Sequence, residues 1–159
     1  MRTRTENNNR KGDMARRLIP HPVAYLHQYS LAMRWGEMDA LGHLNNVHYF
    51  RYFEQVRISW FNSFDPTLMN QRSGPLLIRT TAVYHLPIVH PATLEIKLFA
   101  GPPGRSSFST YYEVTLAGEP EEKIYTEGEA VLVWADYTIG RSIELPESVR
   151  QLLPDSGST

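Results

Sequence analysis

Between Arg34 and Arg57 the chain reads RWGEMDALGHLNNVHYFRYFEQVR. A strand-like start leads into a loop bearing Gly42, one carboxylate (Asp39) and one imidazole (His43). Asn45 and Asn46 follow; asparagine is a good helix cap, and a strongly apolar helix begins at once. A carboxylate can attack a carbonyl carbon or deprotonate a water molecule. The free amides of a helix N-terminus can take the negative charge that develops on the carbonyl oxygen. Asp39 is therefore the candidate nucleophile or general base, and the amide near Asn46 the candidate oxyanion donor. The combination suits acyl transfer. Three roles stay open for His43: orienting a water, sharing a proton with Asp39, or bonding a loop carbonyl. Asn45 and Asn46 read as caps, and capping itself would fix the amides that matter. Glu37 would share a side with Asp39 in an extended segment; the ordinary reading is that it faces solvent or pairs with an arginine.

Other titratable residues carry weaker signals. His48, His85 and His90 match no compact ligand spacing, so no metal is expected. Tyr49 is placed near the floor of a pocket, with a core aromatic as the default. Arg57, on the helix, reads as a structural ion-pair partner.

The elements that must position these groups are legible in the periodicity. Leu18 to Gln28, with Pro20 and Pro22, reads as an extended lead-in, and Tyr29 to Trp35 as the first strand. From Asn46 to Ser63, Tyr49, Phe50, Phe53, Val56 and Trp60 recur at helical steps and predict one buried stripe. Asp65-Pro66 should stop that helix. The period then changes to two. Leu76 to Ile88 predicts a strand with Leu77, Arg79, Thr81, Val83 and His85 on one face. Thr93 to Ala100 predicts another, with Leu94, Ile96 and Leu98 opposed to Glu95 and Lys97. After the turn at Gly101 to Gly104, Ser106 to Ala117 puts Phe108, Thr110, Tyr112, Val114 and Leu116 together. Ile124 to Ala135 closes an antiparallel meander of the last three strands. Pro146 to Leu153 predicts a short terminal helix. One helix with a wide apolar stripe among five strands calls for a curved sheet to wrap it, an α+β layer arrangement.

At 159 residues the chain fits one domain able to bury a core unaided. Hydrophobic content of 42% and charged content of 21% are those of a globular protein, and no run of eighteen apolar residues predicts a membrane span. Sixteen basic against seventeen acidic residues give a net charge of −1, which offers no support for nucleic acid as a partner. The absence of cysteine excludes disulfides, a thiol nucleophile and thiolate metal sites, and fits a cytoplasmic setting. Residues 1–17 hold six Lys/Arg, two acids and an Asn triplet without an apolar face. We expect a flexible tail over residues 1–22 and one domain over 23–155.

The block Trp35-Gly36-Glu37-Met38-Asp39-Ala40-Leu41-Gly42-His43-Leu44-Asn45-Asn46-Val47-His48-Tyr49, with Arg51-Tyr52-Phe53-Glu54 behind it, resembles the hotdog-fold acyl-CoA thioesterases of the 4-hydroxybenzoyl-CoA thioesterase-like family. Tyr84-His85-Leu86-Pro87-Ile88, Gly104 to Phe108 and Ala130 to Ile143 resemble later blocks of that family, over roughly residues 28–153 in all. The resemblance implies a curved antiparallel sheet of about five strands around one long central helix. It implies hydrolysis of an acyl-CoA thioester to acid and CoA, with Asp39 as nucleophile or general base and the amide at about Asn46 polarising the carbonyl. No cofactor is implied beyond the coenzyme A of the substrate, and no membrane insertion. Sites in this fold usually lie at a dimer interface, so a homodimer or homotetramer is implied. Related plant acyl-carrier-protein thioesterases place an aspartate and a histidine like Asp39 and His43, with an asparagine between them where this chain has Leu41. Asn45 and Tyr49 join the expected substrate-binding set. So do Arg105, Ser106 and Ser107, which could meet the pantetheine arm or phosphates of coenzyme A; a solvated hairpin entry is the plainer reading. Two alternatives are a hotdog dehydratase or hydratase, and a non-catalytic acyl-CoA-binding domain. The hydratase pattern Asp-x-Asn-Pro-x-His needs a five-residue step, whereas Asp39 and His43 are four apart with no Asn-Pro. The acyl group, and CoA against acyl carrier protein, are left open by the sequence.

Overall fold

The computed structural model describes residues 18–155, so most of the expected tail lies outside the described residues. Leu18 to Val23 carry no regular structure. The elements that follow are β1 (Ala24–Ala32), a single 3-10 turn (Trp35–Glu37), α1 (Asn46–Phe64), β2 (Ser73–Tyr84), β3 (Thr93–Ala100), β4 (Ser107–Leu116), β5 (Thr126–Asp136), β6 (Arg141–Ser142) and α2 (Glu147–Arg150). The main strands form one antiparallel sheet in the order β1-β3-β4-β5-β2, with β6 paired to β5. The sheet wraps α1, and the result is the hotdog fold.

The helix starts where Asn45 caps it: the Asn45 side chain accepts from the Val47 amide at 3.2 Å. It ends at Asp65, directly before Pro66. Its buried side is wider than the predicted stripe. Tyr49, Tyr52, Phe53, Val56, Arg57, Trp60 and Phe61 are buried, whereas Phe50 is only half-buried. Phe53 stacks on Tyr112 of β4, ring centroids 4.3 Å apart. Gly128 of β5 lies under the same ring, and any Cβ there would collide with it. Arg57 finds a phenol rather than a carboxylate: its guanidinium donates to the Tyr112 hydroxyl at 2.9 Å.

β3, β4 and β5 form the expected antiparallel meander, and Leu94, Ile96 and Leu98 are fully buried. Two strands differ from the sequence reading. β1 begins five residues earlier than the predicted Tyr29, inside the expected lead-in, and stops at Ala32 because Trp35–Glu37 turn into a 3-10 helix. β2 begins at Ser73 and carries a register shift between Leu77 and Arg79. Leu77 pairs with Leu132, on the helix side with Ala130 and Gly128, while Arg79, Thr81 and Val83 pair with Val131, Glu129 and Glu127 on the other side. A bulge inserts one residue into a strand and so reverses the facing of everything beyond it. The single face predicted for Leu77 to His85 is thus split in two.

Candidate active site

The Asp39 loop is a tight, hydrogen-bonded turn. Gly42 donates to the Asp39 carbonyl at 3.0 Å and the Asp39 amide donates to the His43 carbonyl at 2.8 Å. Gly42 sits at φ 76°, a left-handed conformation that glycine adopts without a Cβ penalty. One carboxylate oxygen of Asp39, Oδ1, accepts the amides of Leu41 at 2.8 Å and His43 at 3.2 Å. The other oxygen, Oδ2, has no protein donor among the described residues. Asp39 is therefore a loop-capping carboxylate and a free oxygen at once. The His43 ring takes no bond to Asp39; only its backbone does. Nor does the ring bond a loop carbonyl among the described residues; it lines the cleft instead.

The loop is fastened on both sides. The Asn45 amide donates to the Glu37 carbonyl at 2.9 Å, and the Leu44 amide donates to the Ile88 carbonyl at 2.8 Å. The Asn45 side chain and carbonyl take the amides of Val47 and His48. The Asn46 amide is left with no protein acceptor among the described residues. The Asn46 carbonyl accepts the Tyr84 hydroxyl at 3.2 Å, tying the helix start to the end of β2.

These pieces enclose a cleft of about 330 Å³. Asp39, His43, Leu44 and Asn46 form one wall, Tyr84, His85, Leu86 and Pro87 the other, with Tyr49 between them. Tyr49 is buried and meets Tyr84 edge-to-face at 4.9 Å. Burial pushes the phenols of Tyr49 and Tyr84 above their ordinary range, so they act as neutral donors and apolar surface near neutral pH. Three of the expected catalytic or binding residues, Asp39, His43 and Asn46, and the expected floor Tyr49, are thus brought together. Asn45 acts from behind, as the cap.

The Glu37 carboxylate is taken up by donors outside the Asp39 turn. It accepts the Tyr52 hydroxyl and, at 2.7 Å, the Arg34 amide. Burial works to raise its pKa, but these donors outweigh it and hold the carboxyl below the ordinary value. Burial and the hydrogen bond to Glu37 drive the Tyr52 phenol strongly upward. Glu37 thus fastens the start of the loop to the helix.

Arg105, Ser106 and Ser107 do not line the cleft of their own chain. Ser107 pairs with Val133, seven residues along β5 from Thr126, the partner of Tyr84. At about 3.4 Å per residue that is roughly 24 Å along the strand. Arg105 makes a long, exposed ion pair with Glu144 at 3.8 Å, and its carbonyl accepts the Leu145 amide and the Arg150 guanidinium.

Sequence reasoning passed over one pair on the second wall. Nε2 of His85 lies 2.9 Å from Oε2 of Glu127, a residue only 2% exposed. Forty-two residues separate the two in sequence, and only the β2-β5 pairing brings them together.

Residues 33–153 match the family model of the thioesterase-like superfamily. The chain is a member of the thioesterase-like superfamily. Among solved thioesterase-like structures it is similar to PA2801, described as a putative thioesterase from Pseudomonas aeruginosa. That pair shares 36% identity and a TM-score of 0.75, covering 80% of this chain and 97% of that one. A putative acyl-CoA thioesterase from Xanthomonas campestris is 28% identical, with a TM-score of 0.68, over 76% of this chain and 99% of that one. The uncharacterized protein YsmA of Bacillus subtilis is 28% identical over 124 residues, 77% of this chain and 82% of its own length. The match takes in both walls of the cleft, since the residues lining it all lie within 33–153.

Proposed function

We propose that this protein hydrolyses acyl-CoA thioesters to the free acid and coenzyme A. The observation that carries the reading is that one cleft is lined by Asp39, which has one carboxylate oxygen without a protein partner, and by Asn46, whose backbone amide has no protein acceptor among the described residues. The thioester carbonyl sits between them. The Asn46 amide, at the positive end of α1, takes the developing oxyanion; one such donor is worth about 3 kcal/mol in the transition state. Asp39 supplies the attacking oxygen, directly or by activating a water that the His43 ring orients. Tyr49, Tyr84, Leu86 and Pro87 give the acyl group an apolar seat. The names of the relatives support the same chemistry.

In this reading the working unit is an oligomer, a homodimer or homotetramer. β2 is an edge strand, and Leu76, Leu77 and Ile78 stand exposed on it at 46, 48 and 63%. An apolar sheet edge of this kind is normally covered, and a second copy is the expected cover. A second copy is also the route by which Arg105, Ser106 and Ser107 would reach coenzyme A, as part of the substrate-binding set. The test is free-thiol release from a panel of acyl-CoAs by wild type and Asp39→Ala. Turnover that disappears in the variant supports the reading; turnover retained in the variant, or absent from folded, oligomeric wild type, removes it.

A further inference from the structure

The wall facing the Asp39 loop contains an acid–base pair that the reaction as described above does not use. Glu127, on β5, is almost wholly buried; Oε2 bonds His85 Nε2 at 2.9 Å, and Oε1 is buried with no partner among the described residues. His85 itself is anchored through its backbone amide, which donates to the Tyr125 carbonyl at 2.9 Å. Its side chain keeps 30% of its surface and lines the cleft. With Nε2–H directed at the carboxylate, Nδ1 is the nitrogen left over, and no protein group among the described residues claims it.

As a purely structural device the pair is poor. A buried carboxyl group costs stability unless both its oxygens are satisfied, and Oε1 is not. Two apolar side chains of similar size would serve the fold as well or better. What the arrangement does achieve is an imidazole held at Nε2 by a buried carboxylate, with Nδ1 unclaimed by protein on a residue that lines the same cleft as Asp39.

We propose that His85, oriented by Glu127, is the general acid that protonates the departing sulfur. The proposal rests on the thioesterase reading above. In the water route, the water oxygen bonds to the carbonyl carbon and its proton passes to Asp39. The C–S bond then breaks with its electron pair going to sulfur, and the proton on His85 Nδ1 moves to that sulfur. The products are the acid and the thiol. Solvent reprotonates His85, and Asp39 returns its proton to solvent. If Asp39 attacks directly, the same proton moves when sulfur leaves in the first step. His85 is then a catalytic residue and Glu127 a positioning one.

The test uses one acyl group on two leaving groups: coenzyme A, an alkyl thiol, and thiophenol, whose thiolate is stable enough to leave unprotonated. Single-turnover rates are compared for wild type, His85→Gln, Glu127→Gln and His43→Gln, with unfolding midpoints to verify folding; His85→Asn serves if the first variant does not fold. The expected loss in His85→Gln is about a hundredfold on the CoA ester and less than about threefold on the aryl ester. Glu127→Gln should show the same asymmetry in smaller degree, and His43→Gln none. An equal loss on both esters, or no loss on either, overturns the proposal while leaving the thioesterase reading intact. Wild type inert toward both esters would overturn that reading and the proposal with it.

Discussion

Asp39→Asn separates the two duties that the Asp39 carboxylate performs. In the wild type, Oδ1 accepts two backbone amides, from Leu41 and His43, and Oδ2 faces no protein donor. An asparagine retains the acceptor and therefore both loop bonds, now to a neutral oxygen. Hydrogen bonds to charged groups contribute about 1.5–3 kcal/mol and neutral ones about 0.5–1.5. In a half-buried loop the change should cost about 1 kcal/mol. Asp39→Ala deletes the acceptor of both amides; water can take the exposed Leu41 amide, and the half-buried His43 amide carries most of a loss of about 1–2 kcal/mol. Catalysis ranks the variants differently, since both lose the anionic oxygen. A loss of about a hundredfold corresponds to roughly 2.7 kcal/mol in the barrier, two decades at 1.36 kcal/mol each. We expect Asp39→Asn to unfold close to wild type while hydrolysing about as poorly as Asp39→Ala. Single-turnover thiol release and thermal unfolding on the same preparations decide the matter. If Asp39→Asn keeps more than about a tenth of the wild-type rate, the nucleophile or base role is wrong.

Asn45→Ala removes the helix cap and should cost about 1 kcal/mol in denaturant unfolding, with a lower hydrolysis rate as the first turn loosens; Asn45→Asp should restore both. A rate unchanged in the alanine variant would detach the helix start from catalysis. Gly128→Ala drives a Cβ into the Phe53 ring and should destabilise by about 1–3 kcal/mol; an unshifted urea midpoint would contradict the Phe53–Tyr112 stack. Because the folded pKa of Glu37 is depressed, its stabilisation is present above the unfolded value and lost as pH falls through the folded one. The stability gap between wild type and Glu37→Gln should therefore shrink as pH drops from about 6 to about 3, and a gap that widens there would reverse the sign. Ile78→Lys should shift light scattering toward the monomer and lower activity with it; a fully active monomer would undermine the interface reading.

Periodicity reveals whatever repeats without interruption. α1, β3, β4 and β5 could be read because apolar residues recur along each with one period, and the Asp39 block because its residues are contiguous. β2 resisted for a local reason: its bulge reverses the facing between Leu77 and Arg79, and no residue type marks it. The start of β1 was masked by Pro20 and Pro22, which sit just ahead of it. β6, at two residues, has no period at all. The ordinary reading of Glu37, facing solvent or paired with an arginine, misses its bond from the Tyr52 hydroxyl, because the 3-10 turn at Trp35–Glu37 replaces an extended backbone. The His85–Glu127 pair is a product of sheet order, which a linear pattern does not encode.

That sheet order also bears on when the chain becomes competent during synthesis. Every residue lining the cleft lies between Asp39 and Pro87. Yet β2, which carries the second wall, has β5 as its one neighbour in the sheet, and β5 spans Thr126–Asp136. A ribosome that has released the first hundred residues has delivered all the cleft's side chains and none of the strand that aligns half of them. The long wait between Tyr84 and its partner Thr126 is a stretch of high contact order, slow to close and exposed while open. Damage to the last third of the chain should therefore be felt at a cleft whose lining residues all precede it.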